Sequence, residues 1–135
     1  MSVVEEAIHT ILTSESAITN IVATRVYPVV IPQGGTIPAV TYQRISTPRI
    51  WDLDGPDGMA TPRMQLNCWG TSYSSASSLS NAVRGVLDNY SGTADSVVIH
   101  QVALEDEGDL FEPQIGIDTA RRYGRRMDFI VWHGE

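Results

Sequence analysis

Between Tyr73 and Tyr90, apolar residues fall at Ala76, Leu79, Ala82, Val83, Val86, Leu87 and Tyr90, a stripe at intervals of three and four that lies along one side of a helix. Ser75, Ser78, Asn81, Arg84 and Asp88 take the other side, and Ser91-Gly92 supplies a C-terminal stop. A second stripe, Val4, Ala7, Ile8, Ile11 and Leu12, opens the chain. It starts from Ser2-Val3-Val4-Glu5, which has the S-x-x-E form of a capping box, and it leaves His9 on the polar side. Ser14 or Ser16 is placed to cap a shorter helical turn carrying Ile18, Ile21 and Val22.

Elsewhere the period is two. Over 62–70, Met64, Leu66 and Cys68 alternate with Arg63, Gln65, Asn67 and Trp69, which marks a strand with one buried and one polar face. Residues 39–47 read as a strand, 26–31 as an edge or irregular strand ended by Pro32-Gln33-Gly34-Gly35, and 97–105 and 120–133 as two more. Residues 48–60 hold two prolines and two glycines and form a connection longer than a hairpin needs, a length at which connections are functional arms or locally disordered. An acidic loop from Glu105 to Asp118 separates the last two strands. This order predicts one α+β domain over 1–135, with a mostly antiparallel sheet of about four to five strands and one long helix and an N-terminal helix packed on one face. Leu79, Val83, Val86 and Leu87 are expected to meet Met64, Leu66, Phe129 and Val131 in its core.

At 135 residues and 42% hydrophobic content the chain suffices for one core and leaves no room for a second. No run approaches the roughly 18 apolar residues of a membrane span, and Glu5 and Glu6 stand where a signal peptide carries positive charge, so synthesis in the cytosol is expected. The single cysteine, Cys68, excludes an intramolecular disulfide and lies on the buried side of its strand. Net charge is −7, and all nine cations are arginines. A net acidic domain lacks the phosphate-neutralising surface of tight nucleic-acid binding, while arginine suits interfacial ion pairs because its planar fork matches a carboxylate.

Candidate chemistry is sparse. Asp52-Leu53-Asp54-Gly55-Pro56-Asp57-Gly58 has the carboxylate spacing of a calcium loop, but Pro56 takes the fifth position and Arg63 the twelfth, where a bidentate glutamate belongs. His9, His100 and His133 share no metal-ligand spacing, and no nucleophile elbow, P-loop or dinucleotide fingerprint occurs. No cofactor is expected. Glu105-Asp106-Glu107-Gly108-Asp109-Leu110-Phe111-Glu112 surrounds an apolar pair with carboxylates, so Leu110 and Phe111 are either packed locally or part of an interface. On the last strand Arg122 and Arg126 share one face and Arg121 and Arg125 the other. The arginines pair with the acidic loop of the same chain or with that of a neighbouring copy, with a phosphate-binding cluster ranked third because of the net negative charge.

Leu53-Asp54-Gly55-Pro56-Asp57-Gly58, the following Arg63-Met64-Gln65-Leu66-Asn67-Cys68-Trp69, and Asp128-Phe129-Ile130-Val131-Trp132-His133 stand in order with Val26-Tyr27-Pro28-Val29-Val30 and Val40-Thr41-Tyr42-Gln43-Arg44-Ile45-Ser46. Over nearly its whole length the chain resembles the tail completion proteins (tail terminators, or head-to-tail joining proteins) of long-tailed bacteriophages and related particles. The resemblance implies a structural protein without enzymatic activity. It would form a ring of six copies at the head-proximal end of the tail, ending tube polymerisation and joining the tail to the head. Its implied partners are other copies of itself, the tail tube protein and the head connector, with DNA passing through the lumen without specific binding and no membrane involved. It would reside in the host cytoplasm during assembly and in the particle's tail afterwards. Trp51, Asp54, Asp57, Asp106, Asp109, Leu110, Phe111, Arg122 and Arg126 are the expected interface residues. Two other classes compete: a cytosolic α+β ligand-binding or regulatory domain acting as a dimer, and an acid–base enzyme using Asp54 and Asp57 or the carboxylates of 105–109, which would need a cleft to shift their pKa values.

Overall fold

The computed structural model describes residues 4–32, 36–47, 49–52, 55–112 and 122–134, and for 49–52, 55–59 and 112 the backbone alone. The chain runs α1 (Val4–Ser14), α2 (Ser16–Val22), β1 (Val26–Pro28), β2 (Ala39–Ser46), β3 (Arg49–Asp52), β4 (Gly55–Ala60), β5 (Arg63–Gly70), α3 (Tyr73–Leu87), β6 (Gly92–Ala94), β7 (Val97–Glu112) and β8 (Arg122–Gly134).

Both helical stripes form as their periodicity requires. α1 buries Val4, Ala7, Ile8, Ile11 and Leu12; Ser2 of the expected capping box lies outside the described residues. α2 starts at neither expected cap: Glu15 is its N-cap, without a side-chain hydrogen bond. Ser14 is spent elsewhere, its Oγ donating to the Thr10 carbonyl at 2.6 Å. α3 buries Ala76, Leu79, Ser80, Val83 and Leu87, and Ser72 caps it by accepting from the Ser75 N–H at 3.1 Å. The helix stops at Leu87, short of the expected Ser91-Gly92. The strand alongside captures what comes next: the Asn89 N–H donates to the Val102 carbonyl, and Asp88 Oδ1 accepts from the Leu104 N–H.

β8 is the central strand. One edge pairs with β7 from Ile99↔His133 to Glu112↔Arg122. The other pairs with β5 from Arg63↔Ile130 to Gly70↔Tyr123 and then, in the same register, with β4 at Met59↔Gly134 and Ala60↔His133. The outer partners of β5 and β4 are β2 and β3, again in one register, with Ser46↔Arg63 followed by Arg49↔Ala60. The β2–β5 and β3–β4 ladders are therefore in line, with the first breaking off at Ser46↔Arg63 and the second starting at Arg49↔Ala60. β1 joins β2 in the one parallel pairing among the described residues.

The α+β class with helices over a mostly antiparallel sheet is as expected, but among the described residues the sheet has eight strands where about four to five were expected. β3 and β4 come from 48–60, read as a connection because its glycines and prolines mask strand character. Pro56 is tolerated because β4 has a strand on one side only over that stretch. β6 reaches β7 through Asp95-Ser96, both with left-handed φ (50° and 68°), as a two-residue hairpin turn needs, but without the glycine that usually signals one. The acidic segment is also strand rather than loop as far as Glu112; 113–121 lies outside the described residues.

α3 lies on β5, β7 and β8, and α1 meets β1, β2 and β6. Leu79, Val83 and Leu87 join Met64, Leu66, Phe129 and Val131 in the buried cluster, with Val86 packed against it, as the two periodicities predict. Gly70 lets β5 turn beneath α3, since a Cβ there would sit 2.7 Å from the Ala76 nitrogen. Leu87→Ala should lower the unfolding free energy by about 2–5 kcal/mol, through lost transfer energy and the cavity left behind, measured by denaturant titration; an unchanged midpoint would contradict this packing. Cys68 is fully buried, and burial pushes its thiol up despite the opposing field of Arg125. It should resist thiol reagents in the folded protein and react once denaturant is added, which absorbance of the released thiolate reads directly.

Candidate functional site

The face of the sheet opposite the helices carries an alternating chain of charges across β5, β8 and β7. Arg63 Nη1 donates to Glu105 Oε1 at 2.7 Å and its Nη2 to Asp128 Oδ2 at 3.3 Å. Arg126 Nη1 donates to the same Oδ2 at 2.6 Å and its Nη2 to Asp106 Oδ2 at 3.3 Å. Strand alternation puts these groups together: Arg63 lies on the polar face of β5, while Arg126 and Asp128 are two apart on β8. Asp128 is only 7% exposed, and its Oδ1 has no hydrogen-bond partner among the described residues. A carboxylate buried that far on a helix-free face depends on the two guanidiniums that cover it. For Arg63 the hydrogen bond to Glu105, then that to Asp128, raises an already high pKa.

On the helix side of the same strands, Arg125 donates to Asp109 Oδ1 at 3.1 Å, to the Tyr73 hydroxyl at 3.2 Å and to Ser77 Oγ at 3.2 Å. Partial burial works against its charge, but the bonds to Asp109 and Tyr73 prevail and its pKa moves up. This cluster ties the first turn of α3 to β7 and β8.

The predicted residues thus separate. Asp106 pairs with Arg126 and Asp109 with Arg125, within the chain and across the β7–β8 ladder. The acidic segment is part of the β7–β8 ladder, with arginines of β8 across from it, where sequence periodicity saw a loop. Leu110 packs over Gly124, a residue that admits no side chain because a Cβ would meet the Trp69 ring at 2.8 Å. Phe111 stacks on Tyr123 at 5.1 Å between ring centres, yet stays 53% exposed. Arg122 lines a depression of about 350 Å³ with Val29, Val30, Ile31, Thr41, Asn67 and Trp69. Trp51 and Asp57 fall in the backbone of β3 and β4, and Asp54 lies outside the described residues. Among the described residues no group of three His, Cys, Asp or Glu side chains is placed to hold a metal ion. Asp128 and Tyr73 went unnoticed in the sequence; the signal for Asp128 was its even spacing from Arg126 in a strand otherwise reading as core.

The β3–β4 hairpin is the other feature of the surface. Its ladder to β8 ends at Met59↔Gly134, and beyond that point the ribbon has no further strand beside it among the described residues. It stands at one end of β8, with Arg122 at the other, about 40 Å away at strand rise.

A family model described as "Tail completion protein gp17" matches residues 6–133. The chain belongs to that family. A chain from a solved structure entitled "Virion of native gene transfer agent (GTA) particle" shares the fold of this tail completion protein, with a TM-score of 0.67 and 14% sequence identity over 97% of this chain and 94% of that one. No curated protein matches it.

The charge chain makes a graded prediction. Asp128→Ala should cost roughly 1–3 kcal/mol, because it strips a buried acceptor from two guanidiniums. Asp106→Ala, at the solvent end, should stay within about 0.5 kcal/mol. Equal effects in chemical denaturation would contradict the burial gradient.

Proposed function

We propose that this tail completion protein is a structural component that closes into a ring at the head-proximal end of a tail, ends tube polymerisation and joins the tail to the head connector. The family match over residues 6–133 carries this reading, and the likeness in fold to a chain of a gene transfer agent virion is consistent with it. The β3–β4 ribbon adds a physical reason. A lone two-stranded hairpin is marginally stable in water, so a ribbon running past its own sheet is best explained by a surface outside the chain that receives it. Trp51, Asp54 and Asp57 belong to this arm and are the residues proposed to meet the tube or a neighbouring copy.

Head-to-tail interfaces close rings when the rotation between copies closes. The family resemblance implies six copies in that ring. The net charge of −7 suits a lumen through which DNA slides without being held. The role requires no catalytic group, and Glu105, Asp106 and Asp109 are engaged with arginines.

Deletion of the chain from its particle should leave heads and tails unjoined, or tails of uncontrolled length, under electron microscopy. Normal particles from a clean deletion would end this reading. The purified protein should form rings or short stacked rings in negative stain, whereas a compact dimer stabilised by metabolites would favour a ligand-binding domain instead.

A further inference from the structure

The β3–β4 ribbon has two kinds of candidate receptor, another copy of the chain or a different protein, and charge separates them. No cation stands between Arg49 and Arg63, whereas Asp52, Asp54 and Asp57 all fall inside that span. The register sets Asp52 across from Gly55, and it leaves Asp57 on β4 beyond the last pairing with β8 at Met59. Asp54 lies outside the described residues. Trp51, across from Pro56, is carried past the same point. From there to Gly55 the strand continues for roughly 13 Å at strand rise. An acidic segment containing an indole is thus placed clear of the sheet body.

A second copy offers such a segment little to bind. It bears the same net charge of −7, and like-charged surfaces repel on approach. Its arginines are also spent. Arg25 donates to the carbonyls of Pro38 and Ile21 at 2.8 and 3.3 Å, Arg44 pairs with Glu5, and Arg84 lies 4.0 Å from Glu107. Arg63, Arg125 and Arg126 hold the carboxylates described above, and Arg122 is not free either. Arg49 and Arg121 lie outside the described side chains. Drawing Arg63 or Arg126 onto a neighbour's ribbon would uncover the buried Asp128, a costly exchange. Nucleic acid is a worse receptor still, since its phosphates carry the ribbon's own sign.

We infer that the β3–β4 ribbon docks on a cationic surface with an apolar recess, belonging to a different protein of the particle and not to another copy of this chain. The inference rests on the tail-component reading above and specifies the chemistry of the partner. Such a receptor neutralises the aspartates and seats Trp51, the pairing of aromatic anchor and complementary charge that gives a contact both strength and orientation.

Photocross-linking in assembled particles tests it. The full chain with Trp51→p-benzoylphenylalanine should, on irradiation, join to a peptide of another protein in which arginines and lysines outnumber carboxylates. A cross-link confined to copies of this chain, or one to an acidic peptide, would overturn the inference and leave the ring reading standing. A second measurement mixes the purified chain with heads and with tails taken from particles lacking it. The native chain should cosediment with one of the two, less tightly as salt rises. Asp52→Lys/Asp57→Lys should bind that component about tenfold more weakly or worse, with an unchanged thermal midpoint, and should still close into rings in negative stain. A folded variant that loses its rings, or one that binds as tightly as the native chain, would overturn the inference. A native chain that binds neither heads nor tails would overturn the tail-component reading along with it.

Discussion

The paired edges of β8 constrain everything else in this molecule. The strand is hydrogen-bonded along both sides, and its faces are opposite in kind: Met127, Phe129 and Val131 point under the helices, while Arg126 and Asp128 point away from them. A slip of one residue against either neighbour would exchange these faces, carrying a carboxylate and a guanidinium into the apolar cluster. The charges on the outer face thus help to fix register. Their net contribution to stability is modest where they are exposed and substantial only at Asp128, where water is excluded.

Arginine without lysine suits this arrangement. Arg63 and Arg126 each bridge two carboxylates on different strands, a geometry that a planar fork with several fixed donors supports and a single ammonium does not. On the helix side Arg125 bridges one carboxylate and two hydroxyls, joining Tyr73 and Ser77 of α3 to Asp109 of β7. Much of the charge that a reader of the sequence would assign to partners is consumed inside the chain. The surfaces left for assembly are then apolar spots and the projecting ribbon.

Much of the fold was legible because its periodicities are clean. The stripe of α3 and the alternation of β5 gave the core pairings of Leu79, Val83 and Leu87 with Met64 and Leu66. What stayed hidden was pairing over distance. Residues 55–60 contain Gly55, Pro56 and Gly58, which speak locally for turns, and only their register with β3 and β8 makes them strand. Residues 106–112 look like a solvated acidic loop until β8 sets arginines across from them. The helix stop at Ser91-Gly92 was likewise pre-empted at Asn89, where Val102 takes up the backbone N–H. Among the candidate interface residues, spacing alone could place Arg126 and Arg122 on one face. It could not reveal that Arg126 is occupied by Asp106 and Asp128.

The break between β4 and β5 at 61–62 has a mechanical meaning. Pro62 offers no N–H to the ladder, while its carbonyl still accepts from the Val131 N–H at 3.0 Å. Past that bond the ladder between the ribbon and β8 consists, among the described residues, of Ala60↔His133 and Met59↔Gly134. Its stiffness along its own length comes from the β3–β4 pairing, whereas its angle to the sheet is set by a short seam at the end of β8. The ribbon is a lever on a narrow hinge: a change of pitch against a neighbour would strain that seam and leave the buried cluster untouched.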